Sequence, residues 1–203
     1  MGASGIQARI LAGRLPDSAA ENLAGLFTPH LKHLVSPNRL ADIQAAVERL
    51  AHAVMHGERI GILTDYDVDG VTSHLVLLTA LRDHFGVDHA QLDSFIGHRI
   101  HDGYGISENL VERILNQPQR PAVIITADCG SSDQPRIKLL AEAGVDVIVG
   151  DHHAIPSEGI PSSALAVVNP TRADCDYPDS SIAGVMVSWL IMSALRAKLI
   201  DLK

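Results

Sequence analysis

The chain has 203 residues, enough to bury one sizeable core, and 46% of them are hydrophobic while only 3% are aromatic. The core must therefore be built from Ala, Val, Ile and Leu, as in parallel sheets covered by helices. Apolar runs far short of a membrane span, and a start without a basic-plus-apolar export signal, argue against a membrane partner and for a soluble, cytoplasmic chain, as do Cys129 and Cys175, too few for a disulfide framework. A net charge of −8 sets composition mildly against a nucleic-acid partner.

Residues 1–38 read as an N-terminal extension, with an Ala-rich stretch over 18–26 that suits a short helix. From 39 to 203 the pattern is that of one domain. Asn38 is a candidate N-cap for a helix in which Ile43, Val47, Leu50 and Val54 keep helical spacing until Gly57. Strands are then predicted over 59–64, 92–96, 122–126, 145–149 and 165–168. Helices are predicted over 72–85, 107–116 and 133–143, and from 182 to the end. In that last helix Ile182, Val185, Trp189, Met192, Leu195 and Leu199 mark the stripe expected to pack on the sheet. This alternation predicts an α/β fold with a mainly parallel sheet of about five strands and helices on both faces.

Chemistry-bearing residues follow the strands, where open parallel sheets place their ligands. After the first come Asp65, Asp67 and Asp69 in DYDVDG; after the second, Arg99 and His101 in HRIHDGYG; after the third, Asp128 in ADCG; after the fourth, Asp151, His152 and His153. Each piece has a plainer reading. The first could be a calcium loop or a solvated turn, Asp128 a turn cap, and the histidines and Arg99 a polar loop. A calcium loop of the EF-hand kind, however, needs flanking helices and a closing Glu, and here a strand precedes. Acids gathered this closely repel unless cations or protons intervene, and oxygen ligands with one or two imidazoles suit Mn²⁺ or Mg²⁺. Two such ions would halve the formal charge of −8. The other histidines (His30, His33, His52, His56, His74, His84 and His89) receive no role.

The Asp-His-His triplet, with DYDVDG and ADCG before it, resembles the DHH phosphoesterase superfamily. HRIHDGYG, VVNPTRADCDYP and Ala183-Gly184-Val185 narrow the likeness to its RecJ-like branch of single-strand nucleases, from about residue 40 to about 195. The resemblance implies a two-ion phosphodiesterase that digests single-stranded DNA from the 5′ end with Mn²⁺ or Mg²⁺. It implies Asp67 and Asp69 as ligands of one ion each, Asp128 as the bridge, His152 on the second ion, and Asp65 as a support or direct ligand. His153 would contact the scissile phosphate or the metal-bound water, Asp151 would join it in catalysis as a close supporting residue of the site, and Arg99 with His101 would hold substrate phosphate. Family members carry a further metal-binding Asp and a second, DHH-associated domain beyond the last helix. The chain ends before either, so the resemblance implies a fragment of a longer nuclease, weak or inactive alone. Within the same fold, hydrolysis of oligonucleotides, cyclic dinucleotides or other small phosphoesters is the alternative, and a non-catalytic replication or repair scaffold is the third.

Overall fold

The structure, a computed structural model, describes residues 4–13 and 30–202; the helix expected over 18–26 lies outside them. Two compact units divide the chain, Met1–Val35 and Ser36–Lys203. In the first, helix α1 (Gly5–Ala12) was not anticipated. Ser4 and Gln7 close a reciprocal capping box at its start.

The second unit holds five strands, β1 (Ile60–Thr64), β2 (Leu92–Ile96), β3 (Val123–Ala127), β4 (Asp146–Gly150) and β5 (Ala166–Val168). They form one sheet in the order β2-β1-β3-β4-β5, and every pairing is parallel. Five of five residues in both β1 and β3 are buried, which is why these central strands read as unbroken apolar runs rather than alternating ones. On one face, Leu63, Phe95, Ile124, Val147 and Val149 pack with Leu110 and Ile114 of α4 (Glu108–Leu115) and Ile137 and Leu140 of α5 (Gln134–Glu142). On the other face, helices α2 (Ile43–His56) and α3 (Val68–Thr79) each pack against α6 (Gly184–Asp201).

Three sequence readings are corrected. Position Asp42, not Asn38, precedes α2, with a left-handed backbone (φ 57°) and no capping bond; its carboxylate goes instead to Val167 N–H and Arg172. Asn38 sits in a separate turn, Pro37–Arg39. Helix α3 begins at Val68, inside the acidic motif, because Asp67 caps it by accepting from Gly70 N–H at 3.0 Å; it continues as a wide turn over Ala80–His84. Finally, α6 does not bury the expected stripe. Met192 and Leu195 face inward with Val187, Leu190 and Ile191, whereas Trp189 is 38% exposed.

Candidate metal centre

Register builds the site. Thr64 pairs with Ala127, Ala127 with Gly150, and Gly150 with Val168. The next residue on each strand is therefore Asp65, Asp128, Asp151 and Asn169, four buried polar side chains in one row across the carboxyl edge. In the strand order 2-1-3-4-5, the chain leaves β1 toward one flank and β3 toward the other, which opens a crevice between them. Asp65 and Asp128 stand on its two sides.

Backbone close to contact fixes the first wall. A Cβ on Gly70 would stand 2.4 Å from the Asp65 carbonyl oxygen, so only glycine lets α3 begin so tightly against β1. Asp67 is thereby turned back toward the crevice. Its carboxylate stays below the usual range, chiefly through the Gly70 N–H. Across the crevice Asp128 is 1% exposed and takes a left-handed backbone, φ 62°. Burial first, then the charges of Asp69 and Asp67, push its carboxyl up to about 8. Burial and the Asp67 charge also raise Asp65.

Donor atoms of Asp65, Asp67 and Asp128 lie within 4.8 Å of one another, and so do those of Asp128, His152 and His153. Asp128 belongs to both groups, the position a bridging carboxylate requires. His152 Nδ1 lies 2.9 Å from the Ile182 carbonyl, which accepts its proton and turns Nε2 toward Asp128 Oδ1 at 3.1 Å. That contact makes no aligned hydrogen bond: Asp128 Oδ1 and Asp65 Oδ1 are both buried without a partner. Buried acceptors facing one another are costly alone and are satisfied by a cation. The residues present thus fit divalent ions, and the oxygen-rich donor set with one or two imidazoles suits Mn²⁺ or Mg²⁺. Asp69 falls in neither group; its carboxylate is turned to the start of α6, with Oδ2 3.6 Å from His152 Nε2.

Asp151 does not line the crevice. Burial alone would raise its pKa, but hydrogen bonds from His153 and Ser131 outweigh this and hold it below the usual range. Its oxygens accept from Ser131 N–H at 3.0 Å, His152 N–H at 2.7 Å and His153 Nδ1–H at 2.7 Å. Asp151 is thus bound to the His153 ring, whose pKa it raises. The His153 side chain is 43% exposed, so it faces the space where a substrate would enter.

Two groups escaped the sequence reading. The Tyr104 hydroxyl lies against the His153 ring, 2.8 Å from Nδ1 and 3.0 Å from Nε2. Asn169 donates to the Ser131 hydroxyl and to the His153 carbonyl, each at 2.9 Å, while Thr171 grips that same carbonyl at 2.9 Å. Both residues stood within motifs already singled out, GYG and NPT, but only the register shows what they touch. Arg99 is exposed, its guanidinium 4.6 Å over the Tyr66 ring, and makes no ion pair among the described residues. His101 is not gathered in: its ring lies tilted against that of His98, centroids 4.5 Å apart, and its carbonyl accepts from Asn109.

Comparisons with known proteins agree with this geometry. The family described as "DHH family, N-terminal domain" matches residues 59–202. The single-stranded-DNA-specific exonuclease RecJ of Haemophilus influenzae is 36% identical over 172 residues, 85% of this chain and 29% of that protein. RecJ of Escherichia coli K12 is 34% identical over 171 residues, 84% of this chain and 28% of that protein. The chain thus spans under a third of the length of these relatives. Among solved structures, exonuclease RecJ bound to manganese superposes with a TM-score of 0.68 at 31% identity, covering 79% of this chain and 38% of that one. RecJ from Thermus thermophilus in complex with Mn²⁺ gives 0.62 at 29% identity, covering 84% and 22%. No helix among the described residues is long and apolar enough to cross a membrane.

Proposed function

This chain belongs to the DHH family, and from that premise we propose that it carries the metal centre of a phosphodiesterase that removes nucleotides from the 5′ end of single-stranded DNA. The observation that carries the reading is the sharing of Asp128 between two donor groups, Asp65–Asp67–Asp128 and Asp128–His152–His153. Divalent ions there, Mn²⁺ or Mg²⁺, would polarise the phosphate and supply an acidified water.

The chain's own residues divide the remaining work. Asp128 holds the two groups at one spacing, with its backbone N–H fixed on the Gly150 carbonyl at 3.0 Å. Asp151 orients the His153 ring and keeps it able to carry a proton at the crevice mouth, where it can donate to a phosphoryl or leaving oxygen. Arg99, stacked on Tyr66 and free of carboxylates, offers its planar fork to a phosphate further along the strand. Its position after β2 places it on the far side of Asp65 from Asp128, so a strand would cross the sheet edge.

The test is a time course with Mn²⁺ on oligonucleotides blocked at the 5′ or the 3′ end. Digestion should require a free 5′ end and disappear in His153→Ala. Digestion from 3′ ends, or of dinucleotides alone, would instead assign the same centre to the small-phosphoester branch of the fold.

A further inference from the structure

The start of α6 lies against the metal centre at three points. Asp69 accepts from Gly184 N–H through Oδ2 and from Val185 N–H through Oδ1, both at 2.8 Å. The Ile182 carbonyl, just before the helix, takes the His152 Nδ1 proton at 2.9 Å. Gly184 has no side chain to displace Asp128; a Cβ there would stand 2.8 Å from Asp128 Oδ1. Helix α6 has no side-chain cap of its own, since Ala183 stands at its N-cap position. Its two first free N–H groups are satisfied by an acid from α3, more than a hundred residues earlier in the chain.

Such a carboxylate is both neutralised in part and held in one orientation, because a helix start carries partial positive charge and two N–H donors fix both oxygens. Each oxygen keeps a second lone pair, so Asp69 can hold the helix and still face His152 Nε2 at 3.6 Å. Among the described residues no Lys or Arg pairs with Asp65, Asp67, Asp69 or Asp128. Backbone N–H groups are thus the fixed positive partners of these acids, Gly70 for Asp67 and the start of α6 for Asp69.

We propose that residues 182–185 are a positioning element of the metal centre: they set Asp69 and His152 about Asp128, so cation affinity depends on the Gly184 and Val185 N–H groups. This rests on the metal reading above. Orienting partners of this kind typically change metal affinity by about 10–100-fold.

Val185→Pro deletes one donor at a helix position where proline is tolerated, as Pro135 at the second position of α5 illustrates. Val185→Ala keeps the N–H. Free Mn²⁺, followed by electron paramagnetic resonance during titration, should show about tenfold weaker binding by Val185→Pro and wild-type binding by Val185→Ala. The only tryptophan, Trp189, lies on α6; its emission in the metal-free protein should be the same in both variants and the wild type, reporting a docked helix. Should Val185→Pro not fold, Gly184→Ala carries the test, because alanine favours the helix yet crowds Asp128. It too should lose about tenfold in Mn²⁺ affinity. Wild-type affinity in the folded variant would overturn the positioning role and leave the metal reading intact. Absence of Mn²⁺ binding by the wild type would overturn the metal reading itself, and the proposal with it.

Discussion

Arg172 and Asp128 are both buried ionisable groups, 7% and 1% exposed, in opposite surroundings. The Arg172 guanidinium is saturated: Nη1 donates to Asp42 and the Val167 carbonyl, Nε and Nη2 to Asp174 at 2.9 and 2.7 Å. This network ties the start of α2 to β5. Asp128 has acids on two sides, the His152 Nε2 on a third and one oxygen without a partner. One region is arranged to hold the fold. The other is kept unbalanced at some cost to the fold, as expected where a site is preorganised to take a positive charge.

Replacing Asp128 should separate the two most clearly. Asp128→Asn removes the shared ligand and should weaken Mn²⁺ binding by at least about 100-fold, since even the loss of an outer partner costs about 10–100-fold. Without metal the same change removes an acid that burial and the neighbouring Asp69 and Asp67 charges make costly, and should raise stability by about 1–2 kcal/mol. Calorimetry with Mn²⁺ and denaturant melts in chelator read the two effects. A variant that binds Mn²⁺ normally, or is less stable without it, would erase the distinction drawn here.

Arg172→Met should have the opposite signature. It strands Asp42 and the Val167 carbonyl and should destabilise by about 3 kcal/mol, at the low end for breaking a buried pair because Asp42 and Asp174 are partly exposed. Mn²⁺ affinity of the folded fraction should stay at the wild-type value. A drop in affinity as large as that of Asp128→Asn would mean the two networks are one.

These effects mark what a sequence discloses. The strands were legible because central parallel strands must be apolar throughout, and the acids because they follow the strands directly. Partners distant in the chain were not. Asn38 and Asp42 are equally good caps by residue type, and only Arg172, 130 positions away, explains where the Asp42 carboxylate goes. DYDVDG read as a loop before a helix, yet Asp67 is itself the cap, so the helix starts four residues earlier than expected and carries Asp69 to α6. Asp69, expected as a ligand, is shared with a helix start; Asp151, expected in catalysis, is hydrogen-bonded to His153.

Trp189 shows why spacing alone misled. Helix α6 is apolar on nearly all sides, so periodicity cannot choose its buried face. The indole borders a groove of about 980 Å³ with Met55, Leu75 and Phe85. Trp189→Ala should therefore cost about 1–2 kcal/mol, below the 3–5 of a buried aromatic, whereas Ile191→Ala, at full burial, should cost about 2–5. Neither site lies at residues 182–185, so Trp189→Ala should keep wild-type Mn²⁺ affinity. A large affinity loss would extend the site's dependence along the whole helix.

The smallest effect, and the one that isolates Asp128 without changing size, is pH. Its carboxyl is held at about 8 in the fold and near 3.9 in an unfolded chain. The folded protein thus keeps a proton that the unfolded chain has released, and the stability this brings is present at low pH and lost as pH rises through about 8. His153, raised by Asp151, acts in the same direction. His74, lowered by burial, acts oppositely, but its contribution is complete above its ordinary value of 6.5 and is silent from about pH 7 upward. Between about pH 7 and 8 in chelator, then, stability should fall by about 1 kcal/mol. Asp128→Asn should remove most of that slope, and Arg172→Met none of it, since arginine does not titrate there. Saturating Mn²⁺ should flatten the wild-type slope, because a bound cation favours the ionised carboxylate at every pH in the window. A slope that survives Asp128→Asn unchanged would place the titrating group elsewhere and leave the Asp128 crevice no more strained than the Arg172 network.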